Sequence, residues 1–255
     1  MRYKLISCEV FLREMCAAIA KSPHQVDLEF LPKGLHDLGC VGMLARMQAA
    51  VDRVKEEDYD TILLGYGLCN NGLHGLVAHG LPLVVPRAHD CITLFLGSKE
   101  RYLEYFHANP GVFFKTTGWI ERGTASGELS QLSIQQRNGM NSSFEELVEK
   151  YGEDNAKFLW EELCQHSKHY GQFTYIEMGV ADERPFQEQT KKEAEKRGWK
   201  YESIQGDLGI IQRLVNGDWR DAEVLVVPPH HKLVAKHDEG IVAVAPLPPA
   251  SASGA

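Results

Sequence analysis

Three cysteines each stand just beyond a short apolar run that reads as a buried strand. Cys8 follows Tyr3–Ser7. Cys69 follows Thr61–Leu64 within Gly65-Tyr-Gly-Leu-Cys-Asn-Asn-Gly72, and Cys91 follows Leu81–Val85 within Pro86-Arg-Ala-His-Asp-Cys91. In open α/β sheets, ligands sit outside the carboxyl ends of the strands, where the loops converge. For one cysteine alone, a small buried side chain in a tight loop is the better reading. Three at three strand ends predict a shared thiolate site. Such a site suits an iron–sulfur cluster with one open iron, zinc, or another thiophilic ion. An open coordination position would make it reactive rather than structural. The spacing contains no compact CxxC motif, so these residues do not choose the metal.

Other side chains near the three cysteines could complete the chemistry. His89 and Asp90 flank Cys91 and are candidates for a fourth ligand or for outer partners of a ligand; a capping Asp90 and a surface His89 are the competing reading. Gly67, Asn70 and Gly72 belong to a loop that could present backbone N–H groups to an anion or to cluster sulfides. Arg87 is the foremost cation for an anionic substrate, ahead of Lys99 and Arg101. Glu9 and Glu177 are acid–base candidates. Asp207 reads as an N-cap. His230 and His231 read as a surface loop, and Cys16 as core. Cys40 stands at a helix start, and Cys164 lies near His166 and His169. No Gly-x-Ser-x-Gly elbow or HExxH sequence occurs, which weighs against the common hydrolases and zinc proteases.

The elements that must position these groups alternate strand and helix. Strands are expected at Tyr3–Ser7, Val26–Leu31, Thr61–Leu64, Leu81–Val85, Gly111–Lys115, Phe173–Met178, Trp199–Ile204 and Val224–Val227. Helices are expected at Val10–Ala20, Val41–Glu56, Ile92–His107 with a break at Gly97-Ser98, Pro185–Arg197 and Leu208–Asn216. Thr116–Asn141 reads as a long excursion or lid, and Ser142-Ser-Phe-Glu145 as a capping box opening a helix to about His166. The fold class is α/β, Rossmann-like, with a mainly parallel sheet. Val54–Gly65 and Val215–Val227 echo each other as helix end, acidic-aromatic turn and strand. Two similar halves around a cleft would fit this echo, and a single continuous sheet fits nearly as well. The division expected is 1–118, an N-terminal half with the cysteine loops; 119–170, a helical excursion; 171–245, a C-terminal half; and 246–255, a disordered tail.

Composition narrows the function. With 255 residues, 44% of them hydrophobic, the chain can bury a sizeable core. A net charge of −8 and the absence of a basic run argue against nucleic acid as a partner. No apolar stretch reaches membrane-span length, and the N-terminus shows no obvious signal peptide. A cytoplasmic location is therefore expected, where the six cysteines would stay reduced.

The opening strand with Cys8-Glu9, the Gly65–Gly72 loop, His89-Asp-Cys-Ile-Thr-Leu-Phe-Leu-Gly-Ser98, the helix from Leu208 and Val224-Leu-Val-Val-Pro-Pro229 together resemble one uncharacterised family, number sixteen thirty-eight among the domains of unknown function. Members occur in bacteria and archaea, often beside corrinoid-dependent methyltransferase genes. The resemblance implies the α/β fold and one-carbon or methylamine metabolism, with a corrinoid protein or methyltransferase as partner; it supplies no activity. The leading expectation is a metal or iron–sulfur protein acting on a small anionic or methylated molecule. A metal- or cofactor-delivery accessory protein and a metal-free cysteine-nucleophile enzyme are the alternatives.

Overall fold

The computed structural model describes residues 1–122 and 170–247, with residues 148–149, 152–153 and 155–157 between them. Most of the expected lid, the helix expected from Ser142, the group Cys164, His166 and His169, and the tail beyond residue 247 lie outside the described residues.

The fold is mixed α/β around a mainly parallel central sheet. That sheet holds β1 (Arg2–Cys8), β2 (Gln25–Leu31), β3 (Thr61–Gly65), β5 (Leu83–Pro86) and β9 (Val224–Val227), in the order β2-β1-β3-β5-β9. The first four run parallel and β9 runs antiparallel to β5. β3 and β5 are buried along their whole length, whereas β2, at the edge, is only half-buried. This is why the central strands read as unbroken apolar runs and β2 alternates. Two of the three parallel crossovers carry a helix, α1 (Leu12–Ile19) between β1 and β2 and α2 (Gly39–Asp52) between β2 and β3, whereas the chain from β3 to β5 holds none. Two short helices, α3 (Cys91–Leu96) and α4 (Lys99–Ala108), follow β5, separated by Gly97 in the left-handed region. Cys16, expected in the core, is exposed on α1. The neighbours that α1 buries are Glu14, Met15 and Ala18.

A second parallel sheet, of order β6-β7-β8, comprises β6 (Val112–Lys115), β7 (Gln172–Glu177) and β8 (Lys200–Gln205). The residues after β6, expected to start the excursion, instead form α5 (Thr117–Glu121), with Thr116 accepting from the Trp119 N–H as its cap. α6 (Arg184–Arg197) packs on β7 and β8, and α7 (Gly209–Asn216) on α1. A small antiparallel sheet, absent from the sequence reading, joins β4 (Val77–Ala78), β10 (His231–Ala235) and β11 (Val242–Pro246). Strand pairing thus crosses the boundary expected at residue 171: β9 joins the central sheet and β10 pairs with β4. The echo between Val54–Gly65 and Val215–Val227 ends in two strands of one sheet.

Among the described residues, no helix is long and apolar enough to cross a membrane.

Candidate thiol site at the strand ends

The chain leaves β1 for β2 on one side and then returns to place β3 on the other. The carboxyl ends of β1 and β3 therefore flank the point where strand order reverses, the usual position of a crevice in such sheets. Cys8 is the last residue of β1, and the loop carrying Cys69 leaves β3 directly.

Backbone pairing brings the Cys69 and Cys91 loops together. The Leu68 N–H donates to the Ala88 carbonyl and the Cys69 N–H to the His89 carbonyl, each at 2.8 Å. Gly67 permits this approach, because a Cβ there would lie 2.8 Å from the Asp90 backbone. Cys69, Asn70 and Asn71 then turn with φ of 45°, 55° and 61°. Three consecutive non-glycine residues in the left-handed region are unusual, and asparagine tolerates it better than most. Asn70 is exposed, so its replacement removes little packing. Asn70→Ala is expected to lower stability by about 1 kcal/mol, while Asn70→Gly leaves it unchanged or raises it. Denaturant unfolding of the two variants checks this, and equal stabilities would refute the strain account.

Cys8, Cys69 and Cys91 are all buried, at 2%, 6% and 7% exposure, and none is in a disulfide. They lie close enough for each thiolate's charge to bear on the other two or on a shared neighbour. Burial pushes the Cys8 thiol up to about 12, chiefly by desolvation, with the Glu9 charge adding to it. Cys69 and Cys91 are raised as well, again chiefly by burial and then by neighbouring negative charge, Asp90 included. Among the described residues, no three His, Cys, Asp or Glu side chains are placed to hold one ion together.

Four residues that the sequence reading did not single out surround the sulfurs. The Trp119 indole N–H donates to Cys91 Sγ at 3.2 Å. His36 Nε2 lies 3.7 Å from Cys8 Sγ, and burial lowers its imidazole to about 4, so the ring is neutral. Lys33 Nζ stands 4.5 Å from the centre of the Trp119 ring, and its positive charge bears on Cys8. Tyr66 is 1% exposed, and its hydroxyl lies beside Cys8. Lys33 and His36 follow β2, and Trp119 follows β6. These are strand carboxyl ends too, so the rule that found the cysteines would have found them.

The other expected site residues have structural partners. Asp90 caps α3, accepting from the Ile92 N–H at 2.9 Å and from the Tyr102 hydroxyl at 3.1 Å. His89 is exposed. Arg87 donates to the main-chain carbonyls of Asp221, Gly240 and Val242, which ties the end of β5 to the small sheet. Glu9 accepts the Lys33 N–H at 2.9 Å and lies 3.9 Å from Arg122, so it braces the loop after β2. The Gly72 N–H donates to the Cys69 carbonyl, so with Leu68 and Cys69 half of the N–H groups expected to form a cradle over Gly67–Gly72 are already bonded. Asn70 faces solvent. Lys99 and Arg101 also bond main-chain carbonyls, of Glu239 and of Leu96 and Gln205. Asp207, expected as an N-cap, stands one residue before the cap Leu208 and accepts from the Gly209 N–H. Glu177 accepts from the Ser203 hydroxyl. His231 bonds the Pro229 carbonyl, while His230 is exposed with φ of 62°.

The fold is that of an α/β protein with three buried, free thiols at or just beyond the strand ends of its central sheet. The chain belongs to the family described as Protein of unknown function (DUF1638), whose model matches residues 30–215. That span includes Cys69 and Cys91 with Lys33, His36, Tyr66 and Trp119, and begins after Cys8. No curated protein and no solved structure matches the chain.

Proposed function

We propose that Cys8, Cys69 and Cys91 bind a thiophilic metal ion or an iron–sulfur cluster, and that a small anionic or methylated molecule is brought to it. The observation that carries this reading is the burial of three reduced thiols, within reach of each other's charge, beyond the carboxyl ends of a mainly parallel sheet at its strand-order reversal. The donor set fits a soft cation in kind.

Bound there, the metal would supply a Lewis acid with an open position or a redox centre. The chain's own residues do the rest. The loops around Cys69 and Cys91 exclude water from the sulfurs, Trp119 fixes the Cys91 side chain, and Lys33 places one positive charge beside the thiols for an anionic substrate. Burial itself favours this reading over a metal-free nucleophile. A thiol raised to about 12 is almost wholly protonated at neutral pH, and an apolar-buried cysteine is inert unless positive charge compensates it. Metal binding removes those protons outright.

The test is the metal and acid-labile sulfide content of protein purified without oxygen and without added metal. Iron with sulfide, or zinc without it, is expected, and Cys69→Ser is expected to weaken retention by more than about tenfold. Wild-type protein without metal, or a Cys69→Ser protein with undiminished content, would overturn the proposal. In the metal-free case, protein that is fully active without metal and loses that activity on stoichiometric alkylation of one cysteine would point to a thiol nucleophile instead.

A further inference from the structure

β2 leaves one edge of the central sheet open. It pairs with β1 alone, along all seven of its residues. The Gln25 N–H donates to the Met1 carbonyl, and residues that bond a given neighbour alternate along a strand. Gln25, Asp27, Glu29 and Leu31 therefore turn their N–H and C=O groups toward β1, and Val26, Leu28 and Phe30 turn theirs outward. Among the described residues, nothing bonds those outward groups. Open edges attract further strands, and proteins guard them with lysine, proline, bulges or short length. The other free edges are guarded in this way: β4, β6 and β9 have two to four residues, β8 opens on Lys200, and β11 ends on Pro246. β2 has neither lysine nor proline.

We propose that the free edge of β2 is the interface with a second copy of this chain, paired antiparallel about a twofold axis at Leu28, so that one sheet runs through both molecules. A twofold dimer uses the same patch on each subunit, and β2 matches itself. The axis sets Leu28 against Leu28, and Val26 against Phe30 of the second copy. Each is a hydrogen-bonded pair that exchanges both its bonds, so every outward N–H and C=O finds a partner. Alternate residues share a face, and on this one Val26, Leu28 and Phe30 already pack half-buried on the core. On the other face Asp27 meets Glu29 of the second copy. Both acids hold cations there: Arg2 bonds Asp27 at 2.8 Å, and Lys4 and Arg53 bond Glu29 at 3.0 and 2.7 Å. The Arg53 side chain is 60% exposed, so it stands where Asp27 of the second copy arrives. The proposal does not depend on the thiol reading, and antiparallel pairing points the two thiol sites in opposite directions.

The test is sedimentation equilibrium of the full-length reduced protein, with amide hydrogen exchange measured at concentrations below and above its self-association. A dimer with a dissociation constant below about 100 µM is expected. In the dimer alone, exchange should slow at the Val26, Leu28 and Phe30 amides; the Asp27 and Glu29 amides, bonded to β1, should be protected in both states. Leu28→Pro removes an outward donor and no bond to β1, and is expected to leave a monomer. Arg53→Glu changes an exposed side chain and is expected to weaken association by at least about tenfold. Wild-type protein that stays monomeric at that concentration would overturn the proposal. So would a dimer whose outward β2 amides exchange as fast as in the monomer, since the contact would then lie elsewhere; this comparison needs no variant to fold. A dimer that Arg53→Glu leaves at wild-type affinity would overturn the twofold at Leu28.

Discussion

Gly118→Ala should lower the melting temperature by about 5–10 °C and loosen the thiol site with it. Gly118 lies in α5, and a Cβ built there would sit 1.7 Å from the Val10 carbonyl oxygen, in the turn that follows Cys8. Two effects of opposite sign compete. Alanine is the better helix former by about 1 kcal/mol. Relieving a contact that short requires the helix or the turn to move, and overpacking of this kind costs about 1–3 kcal/mol or more. Two backbones meet here, so no flexible side-chain end can give way, and the steric term should win. The movement would fall on Trp119, the next residue, which donates to Cys91 and lies under Lys33. It would fall also on Thr117, whose hydroxyl bonds that of Tyr175 at 2.7 Å. Tryptophan emission should therefore shift in the folded variant. A melting temperature equal to or above that of wild type would show that helix propensity prevails over the steric cost.

The central sheet was legible because burial on both faces leaves a plain mark on sequence. Ile62–Leu64 and Leu83–Val85 are unbroken apolar runs, and both proved to be central, parallel strands. The break at Gly97-Ser98 was legible too, since Gly97 adopts φ of 77° and Ser98 caps the next helix. The small antiparallel sheet was not, because β4 has two residues and its partners, His231 and Lys232, lie far along the chain. The cysteines could be read from strand ends, but Arg87 could not be assigned from type and position. Its partners are main-chain carbonyls, which any residue supplies, so a cation suited to a substrate and one that ties two sheets together look alike. Tyr66 was hidden in another way. Beside Gly65 and Gly67 it reads as part of a tight loop, and only the placement of its hydroxyl beside Cys8 sets it apart.

Glu14 should make the protein lose stability as pH rises from about 4.5 to 7, a range where many proteins are near their most stable. Its side chain is 1% exposed on the inner face of α1, and Oε1 has no partner among the described residues. Burial, first of all, raises the carboxyl to about 7; the negative charges of Glu183 and Glu121 add to this, and Arg13 offsets part of it. Below about 4.5 the group is protonated whether the chain is folded or not, and it contributes no penalty. Between 4.5 and 7 the unfolded chain releases the proton and the folded chain keeps it. The folded state then binds more protons, so unfolding becomes easier as pH rises. Above 7 both forms are charged and the full penalty stands, on the order of 3 kcal/mol at 1.36 kcal/mol per unit. Glu14→Gln removes the charge while keeping the shape. It should stabilise the protein by about 1–3 kcal/mol at pH 8 and do little at pH 4.5. Denaturant unfolding at both pH values measures the difference, and an equal effect of the variant at the two would show that burial does not raise the Glu14 carboxyl. Neighbouring Glu183 accepts the Met178 and Gly179 N–H groups at 3.0 and 3.4 Å, so its carboxylate has partners that Glu14 Oε1 lacks. Of these two buried acids, Glu14 is the one with a carboxylate oxygen that has no partner among the described residues.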